Sequence, residues 1–153
     1  MFEFKDVGYI TDGEIDLILE KKVPAIYEKF YVPSYHFKVK KHLSNVEMGK
    51  IDIRIGHNEN TFYGGNIGYE IYPMFQGNHY AAKACQLIKK VALMHQLTYL
   101  YISCLPENIP SNKTCLRLQA QFLGTYQIPF HSEMYLIGLR QINVYYWSLV
   151  ETK

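Results

Sequence analysis

A chain of 153 residues, 48% hydrophobic and 20% charged, with a formal net charge of +2, suits one globular domain and is too apolar for disorder. Its basic residues are scattered apart from Lys21-Lys22, Lys40-Lys41 and Lys89-Lys90, so nothing argues for nucleic acid, and no apolar run reaches the length of a membrane span. Cys85, Cys104 and Cys115, with six dispersed histidines, show no paired-ligand spacing, so neither a disulfide framework nor a metal is expected.

Met1 to Asp6 lacks the basic and apolar regions of a signal peptide, which leads to the expectation of a cytoplasmic protein. Thr11-Asp12-Gly13-Glu14 has the form of a capping box and predicts a short helix through Ile15, Leu17, Ile18 and Leu19, ending before Pro24. Tyr35 to Val39 alternates like a strand, and Gly49 to Gly56, with Ile51, Ile53 and Ile55 separated by polar residues, has the period of a half-buried one. The turn-rich run Gly56 to Asn60 leads to a further strand, Asn66 to Tyr72.

Pro73 ends that strand, and Gly77-Asn78 introduce a helix from about His79 to His95. Its apolar face is Ala81, Ala84, Cys85, Ile88, Val91 and Ala92. Thr98 to Cys104 is β-prone, Ser111 to Phe122 reads as a helix, and Met134–Leu139 and Ile142–Leu149 read as late strands. No repeat or linker divides residues 1–153. The expected architecture is a single α/β or α+β domain with a mixed, mostly antiparallel sheet flanked by helices.

Gly68-Tyr69-Glu70-Ile71-Tyr72-Pro73-Met74-Phe75-Gln76-Gly77-Asn78-His79-Tyr80-Ala81-Ala82 carries the chemistry. A strand delivers the chain to a tight turn that opens a helix with small residues, and free amides at a helix N-terminus attract anions such as a pyrophosphate. This stretch resembles the acetyl-CoA signature of the GNAT superfamily: Gln or Arg, two residues, Gly, one residue, then Gly or Ala. Gln76 and Ala81 match its ends, Tyr80-Ala81 match the usual pair, and His79 replaces the central glycine. Gly49 to Gly56 and Gly64 to Ile71 look like the family's third and fourth strands. Pro106-Glu107-Asn108-Ile109-Pro110-Ser111-Asn112-Lys113 is similar to its P-x-N-x-x-S-x-K entry to a later helix. The likeness covers about residues 46 to 125.

The resemblance implies an acetyl-CoA-dependent N-acetyltransferase in which an amine acceptor, a small molecule or a peptide amine, attacks the thioester directly. Alignment of the reactants supplies roughly 7–11 kcal/mol of such a reaction. It implies that Ile71, Tyr72, Gln76, Gly77, Asn78, His79, Tyr80, Ala81, Ala82, Asn108, Ser111 and Lys113 contact the coenzyme, with amides near Ile71 and Tyr72 facing the developing oxyanion. Asn108 would meet the pantetheine arm and Lys113 would reach the 3′-phosphate, although an exposed lysine needs no such role. An alkyl amine is only about one part in a few thousand neutral at pH 7, so a base is useful. Glu70 is the candidate, with Asp52 and Glu47 as lesser alternatives and a solvated carboxylate as the plain reading. Tyr27, Tyr31, Tyr35 and His36 fall where the family builds its acceptor pocket, and equally suit a core.

Two departures stand out. The helix that usually ends Lys-Leu-Gly-Phe reads Arg117-Leu118-Gln119-Ala120, and Cys115 occupies the position where many relatives have a tyrosine acid. Cys115 is then either a thiol acid or a small core residue. These departures motivate a rival reading, a non-enzymatic CoA-binding or sensory relative. A nucleotide site is disfavoured, because neither glycine-rich nucleotide fingerprint is present. Membrane partners are not expected, and a homodimer is compatible with the sequence.

Overall fold

The computed structural model describes residues 1–151. In chain order its main elements are β1 (Ile10–Thr11), β2 (Ile15–Val23), β3 (Ser34–Lys41), β4 (Glu47–Arg54), α1 (Glu59–Gly64), β5 (Ile67–Ile71) and α2 (Tyr80–Met94). They continue as β6 (Tyr99–Cys104), α3 (Ile109–Arg117), β7 (Gln121–Gln127), α4 (Glu133–Leu136) and β8 (Gln141–Ser148). Strands β1 to β5 form one antiparallel sheet in sequential order, and β6, β8 and β7 form a second. The fold is α+β, with antiparallel sheets flanked by helices.

Helix α2 buries Ala82, Ala84, Cys85, Ile88, Val91 and Ala92, the small and branched residues of one helical face, against β2, β4 and β5. Side chains alternate across the first sheet, so one face carries Leu17, Tyr35, Phe37, Ile51, Ile53 and Ile67 into this core. Full burial of a residue such as Ile88 contributes about 1.5–3 kcal/mol. The opposite face is polar. It sets Lys50 beside Glu70, Asp52 beside Gly68, and His36 beside Asp52.

Four expectations are corrected. Residues 15–23 form β2 and not a helix. The side chains of Asp12 and Thr11 accept amides of Glu14, Ile15 and Gly13, while Gly13 takes φ +86°. These are the bonds of an Asp-Gly hairpin turn, with Thr11 already paired to Asp16. Helix α1 fills what looked like a plain turn, because Asn58 and Thr61 cap each other reciprocally. Helix α3 begins and ends earlier than expected, since Asn108 caps it and Gln119 turns left-handed at φ 60°, freeing 121–127 for β7. Residues 133–136 form α4 and not a strand: Ser132 caps them, and Met134, Tyr135 and Leu139 pack on Ile128, Ile142 and Val144.

Asn66 pins the two sheets together. Its main-chain N–H donates to the Tyr101 carbonyl at 2.7 Å, and its side-chain oxygen accepts the Tyr101 N–H at 2.9 Å. Past this point β5 and β6 join by no further backbone bonds, and a cleft opens between them.

Candidate active site

The cleft, of about 520 Å³, is bounded by the end of β5, the turn and first residues of α2, and the start of α3. The turn is shaped by two left-handed residues, Gly77 at φ +89° and His79 at φ 62°. His79 is the N-cap of α2 and makes no side-chain cap bond. The first amide it satisfies is that of Lys83, which donates to the His79 carbonyl at 3.0 Å. The amides of Tyr80, Ala81 and Ala82 therefore precede the first intrahelical bond, at the positive end of the helix dipole. Across the cleft, Lys113 and Arg117 stand one turn apart on α3. Unsatisfied amides, small side chains and two cations form a cradle for phosphate groups.

The wall toward β5 is set by hydrogen-bond alternation. Tyr72 N–H donates to the Met48 carbonyl at 2.9 Å, and Arg54 N–H donates to the Asn66 carbonyl at 2.7 Å. Even-numbered residues of β5 thus face β4, and Tyr69 and Ile71 turn their main-chain groups toward the gap. The Ile71 N–H is thus directed into the gap, whereas the Tyr72 amide, expected to face a developing oxyanion, is occupied by the Met48 carbonyl. The Tyr72 hydroxyl donates to Glu47, which holds the phenol up at about 12 and the Glu47 carboxyl below its ordinary range.

Of the sequence-based candidates, Glu70, Ile71, Gln76, Gly77, His79, Tyr80, Ala81, Ala82, Asn108, Ser111 and Lys113 line the cleft together. Gln76 ties the turn to β5 by donating to the Ile71 carbonyl at 2.9 Å. Asn78 donates to the Phe75 carbonyl at 3.2 Å and stands outside the lining. Cys115 is fully buried behind the cleft; its hydrogen bond with the Cys104 thiol, and burial, push its own thiol far up. It stays a neutral core thiol and is removed from the set of site groups. Tyr35 is likewise core. Its hydroxyl accepts the Lys5 N–H at 2.8 Å and lies 2.7 Å from His95 Nε2. Tyr27 is exposed on a short 3-10 turn. His36 lies on the polar sheet face, and Tyr31 lines a second cavity.

Several lining residues escaped the sequence reading. Tyr69 reaches across the cleft, its hydroxyl 2.7 Å from Ser111 Oγ, and burial above all keeps the phenol protonated far beyond its usual range. Arg117 was visible as the residue one helical turn after Lys113.

Residues 11–121 match the family model described as the acetyltransferase (GNAT) domain. No curated protein sequence matches. Among solved structures, the microcin C7 self-immunity acetyltransferase MccE, in complex with acetyl-CoA and AMP, is 23% identical with a TM-score of 0.59. That match covers 80% of this chain, which spans 62% of the MccE chain. A GNAT-family acetyltransferase from Bacillus anthracis is 22% identical with a TM-score of 0.60, covering 76% of this chain and 67% of its own. A probable acetyltransferase (GNAT family) from Chromobacterium violaceum is 13% identical with a TM-score of 0.66, covering 95% and 88%. A family model that spans most of the chain, on a fold whose two sheets part beside the turn into α2, shows that this protein belongs to the GNAT acetyltransferase family.

Proposed function

We propose that the protein transfers the acetyl group of acetyl-CoA to the nitrogen of an amine acceptor by direct attack. The observation that carries this reading is the cleft itself: free amides of Tyr80, Ala81 and Ala82 facing Lys113 and Arg117, with the edge of β5 forming the adjoining wall. The amides and cations suit the diphosphate and 3′-phosphate, and Asn108 and Ser111 suit the pantetheine arm. Acetyl-CoA bound to MccE supports the same cosubstrate here.

In the reaction the neutral amine forms a C–N bond with the thioester carbonyl carbon. The outward N–H of Ile71 stabilises charge on the carbonyl oxygen. As the C–S bond breaks, its electron pair leaves on sulfur as CoA thiolate, and the proton released by the amine passes to Glu70, directly or through a water. Because the Cys115 thiol is sealed in the core, the thiolate takes its proton from Glu70 or solvent.

The test is a screen of polyamines, aminoglycosides, amino acids and peptide amines for acetyl-CoA-dependent release of CoA thiol. Release with at least one amine, and none without, supports the reading. Tight binding of acetyl-CoA with no release across the panel would favour the sensory alternative.

A further inference from the structure

Tyr69 and Ile71 both line the cleft, and their side chains lie on the face of β5 that packs on the core. The Tyr69 ring crosses from β5 to α3, where its hydroxyl lies 2.7 Å from Ser111 Oγ and 3.4 Å from the Ser111 carbonyl. Ser111 is itself held, because the Asn108 side chain accepts its N–H at 3.2 Å. The far end of this bridge is therefore the capped first turn of α3. Burial above all holds the phenol far above its ordinary range, so it stays neutral and keeps its hydroxyl bond.

Behind the ring stand Cys85, Cys104 and Cys115, contributed by α2, β6 and α3, three buried thiols that the transfer does not use. Cysteine is small, so the ring and not the residues behind it supplies the bulk of the wall here. The ends of β5 differ. The turn from Gln76 to Ala82 lies beyond Ile71, and the pin between Asn66 and Tyr101 lies beyond Ile67. Tyr69 thus stands between the Ile71 N–H and the closed end of the cleft.

We propose that Tyr69 sets the length of the acyl donor: its ring stops the inner end of the coenzyme cleft and admits short groups, acetyl or propionyl, while excluding longer chains. This rests on the acetyl-transfer reading, which puts the phosphates at the turn and the carbonyl oxygen at the Ile71 N–H. Coenzyme lying in that sense points its acyl carbons along β5 toward the pin. Tyr69 is two residues further on, roughly 7 Å by strand rise. A methyl or ethyl group ends short of the ring, whereas a straight chain of six carbons runs into it. The ring cannot swing aside without giving up Ser111 and pressing on the thiols behind, and added methylenes in a packed site force such shifts at a cost.

The experiment is calorimetric titration of acetyl-CoA and hexanoyl-CoA, without any acceptor, into wild type, Tyr69→Ala and Tyr69→Phe. Wild type should bind hexanoyl-CoA about tenfold or more weakly than acetyl-CoA, the scale of an overpacked site. Tyr69→Ala opens the space up to the three thiols and should abolish or reverse that gap, since the chain can then bury its methylenes there. Tyr69→Phe keeps the ring, loses only the bond to Ser111, and should preserve most of the gap. The ratio of the two affinities within each protein is the readout, because general damage to the cleft weakens both ligands alike. If Tyr69→Ala does not fold, Tyr69→Leu replaces it, with a smaller change in the same direction. Hexanoyl-CoA bound by wild type as tightly as acetyl-CoA, or a wild-type gap kept in the smaller variant, overturns the proposal. No binding of acetyl-CoA by wild type would instead overturn the acetyl-transfer reading, so the two failures are distinct.

Discussion

Asn66 and Tyr101 exchange two hydrogen bonds, one from the Asn66 backbone and one to its side chain, at the point where the sheets meet. Asn66 is fully buried, and its amide nitrogen also donates to the Arg54 and Gly56 carbonyls at 2.9 and 2.7 Å. One side chain thus satisfies three half-buried backbone groups and fixes where the cleft begins. Asn66→Ala leaves all three without partners and should cost about 3 kcal/mol or more. Urea unfolding checks this. A loss below about 1 kcal/mol would show that the sheets are held together elsewhere.

His79 adopts φ 62° and ψ 22° without a compensating side-chain cap. The left-handed region costs an L-residue roughly 1–2 kcal/mol and costs glycine little. His79→Gly should therefore leave the protein as stable or up to about 1 kcal/mol more stable, since glycine gives back part of the gain through its unfolded-state freedom. His79→Val should destabilise it. Thermal unfolding of the three proteins gives the order, and a valine variant as stable as wild type would contradict the strain.

Glu70→Gln should lower kcat/KM for an alkyl amine by about 10²-fold or more, within the usual range for general acid–base catalysis. Acetyl-CoA affinity should not change. Rates equal to wild type from about pH 6 to 9 would return Glu70 to the class of solvated strand carboxylates.

Asp16 accepts hydrogen bonds from Tyr9 and the Leu43 amide and lies 2.8 Å from His42 Nδ1. Burial works to raise its carboxyl, but the hydrogen bonds from Thr11, His42, Leu43 and Tyr9 outweigh it and leave it at about 2, below the ordinary 3.8. A depressed folded-state value contributes stability that is complete above 3.8 and lost as pH falls through about 2. Asp16→Asn should melt below wild type at neutral pH, and the gap should close between these two values. A gap that persists undiminished below pH 2 would contradict this linkage.

The turn from Gln76 to Ala82 and the entry from Asn108 to Lys113 were legible in the sequence because each is a local signal: a strand end, a capping residue and small side chains in a fixed order. The helix face of α2 was legible for the same reason, except at its first turn, where Ala82 is buried and Ala81, expected on that face, lines the cleft instead. Residues 15–23 were misread because an Asp-Gly hairpin turn and a helix cap use the same residue types, and only the partner strand β3 separates them. For Tyr35 and Cys115 the sequence left core and pocket both open, because aromatic and thiol side chains suit either, and burial places both in the core. The row His36, Asp52, Gly68 is invisible along the chain, because it exists only once β3, β4 and β5 come into register.

The central claim is that the cleft between the α2 turn and α3 binds acetyl-CoA through backbone amides and two cations, and calorimetric titration tests it most directly. Wild type should bind acetyl-CoA at sub-millimolar concentration, and the Lys113→Ala, Arg117→Ala double variant should bind it at least about tenfold more weakly with an unchanged melting temperature, as expected for the loss of charge-assisted phosphate contacts. Absence of acetyl-CoA binding by the folded wild-type protein, or identical affinity in the double variant, would contradict the account.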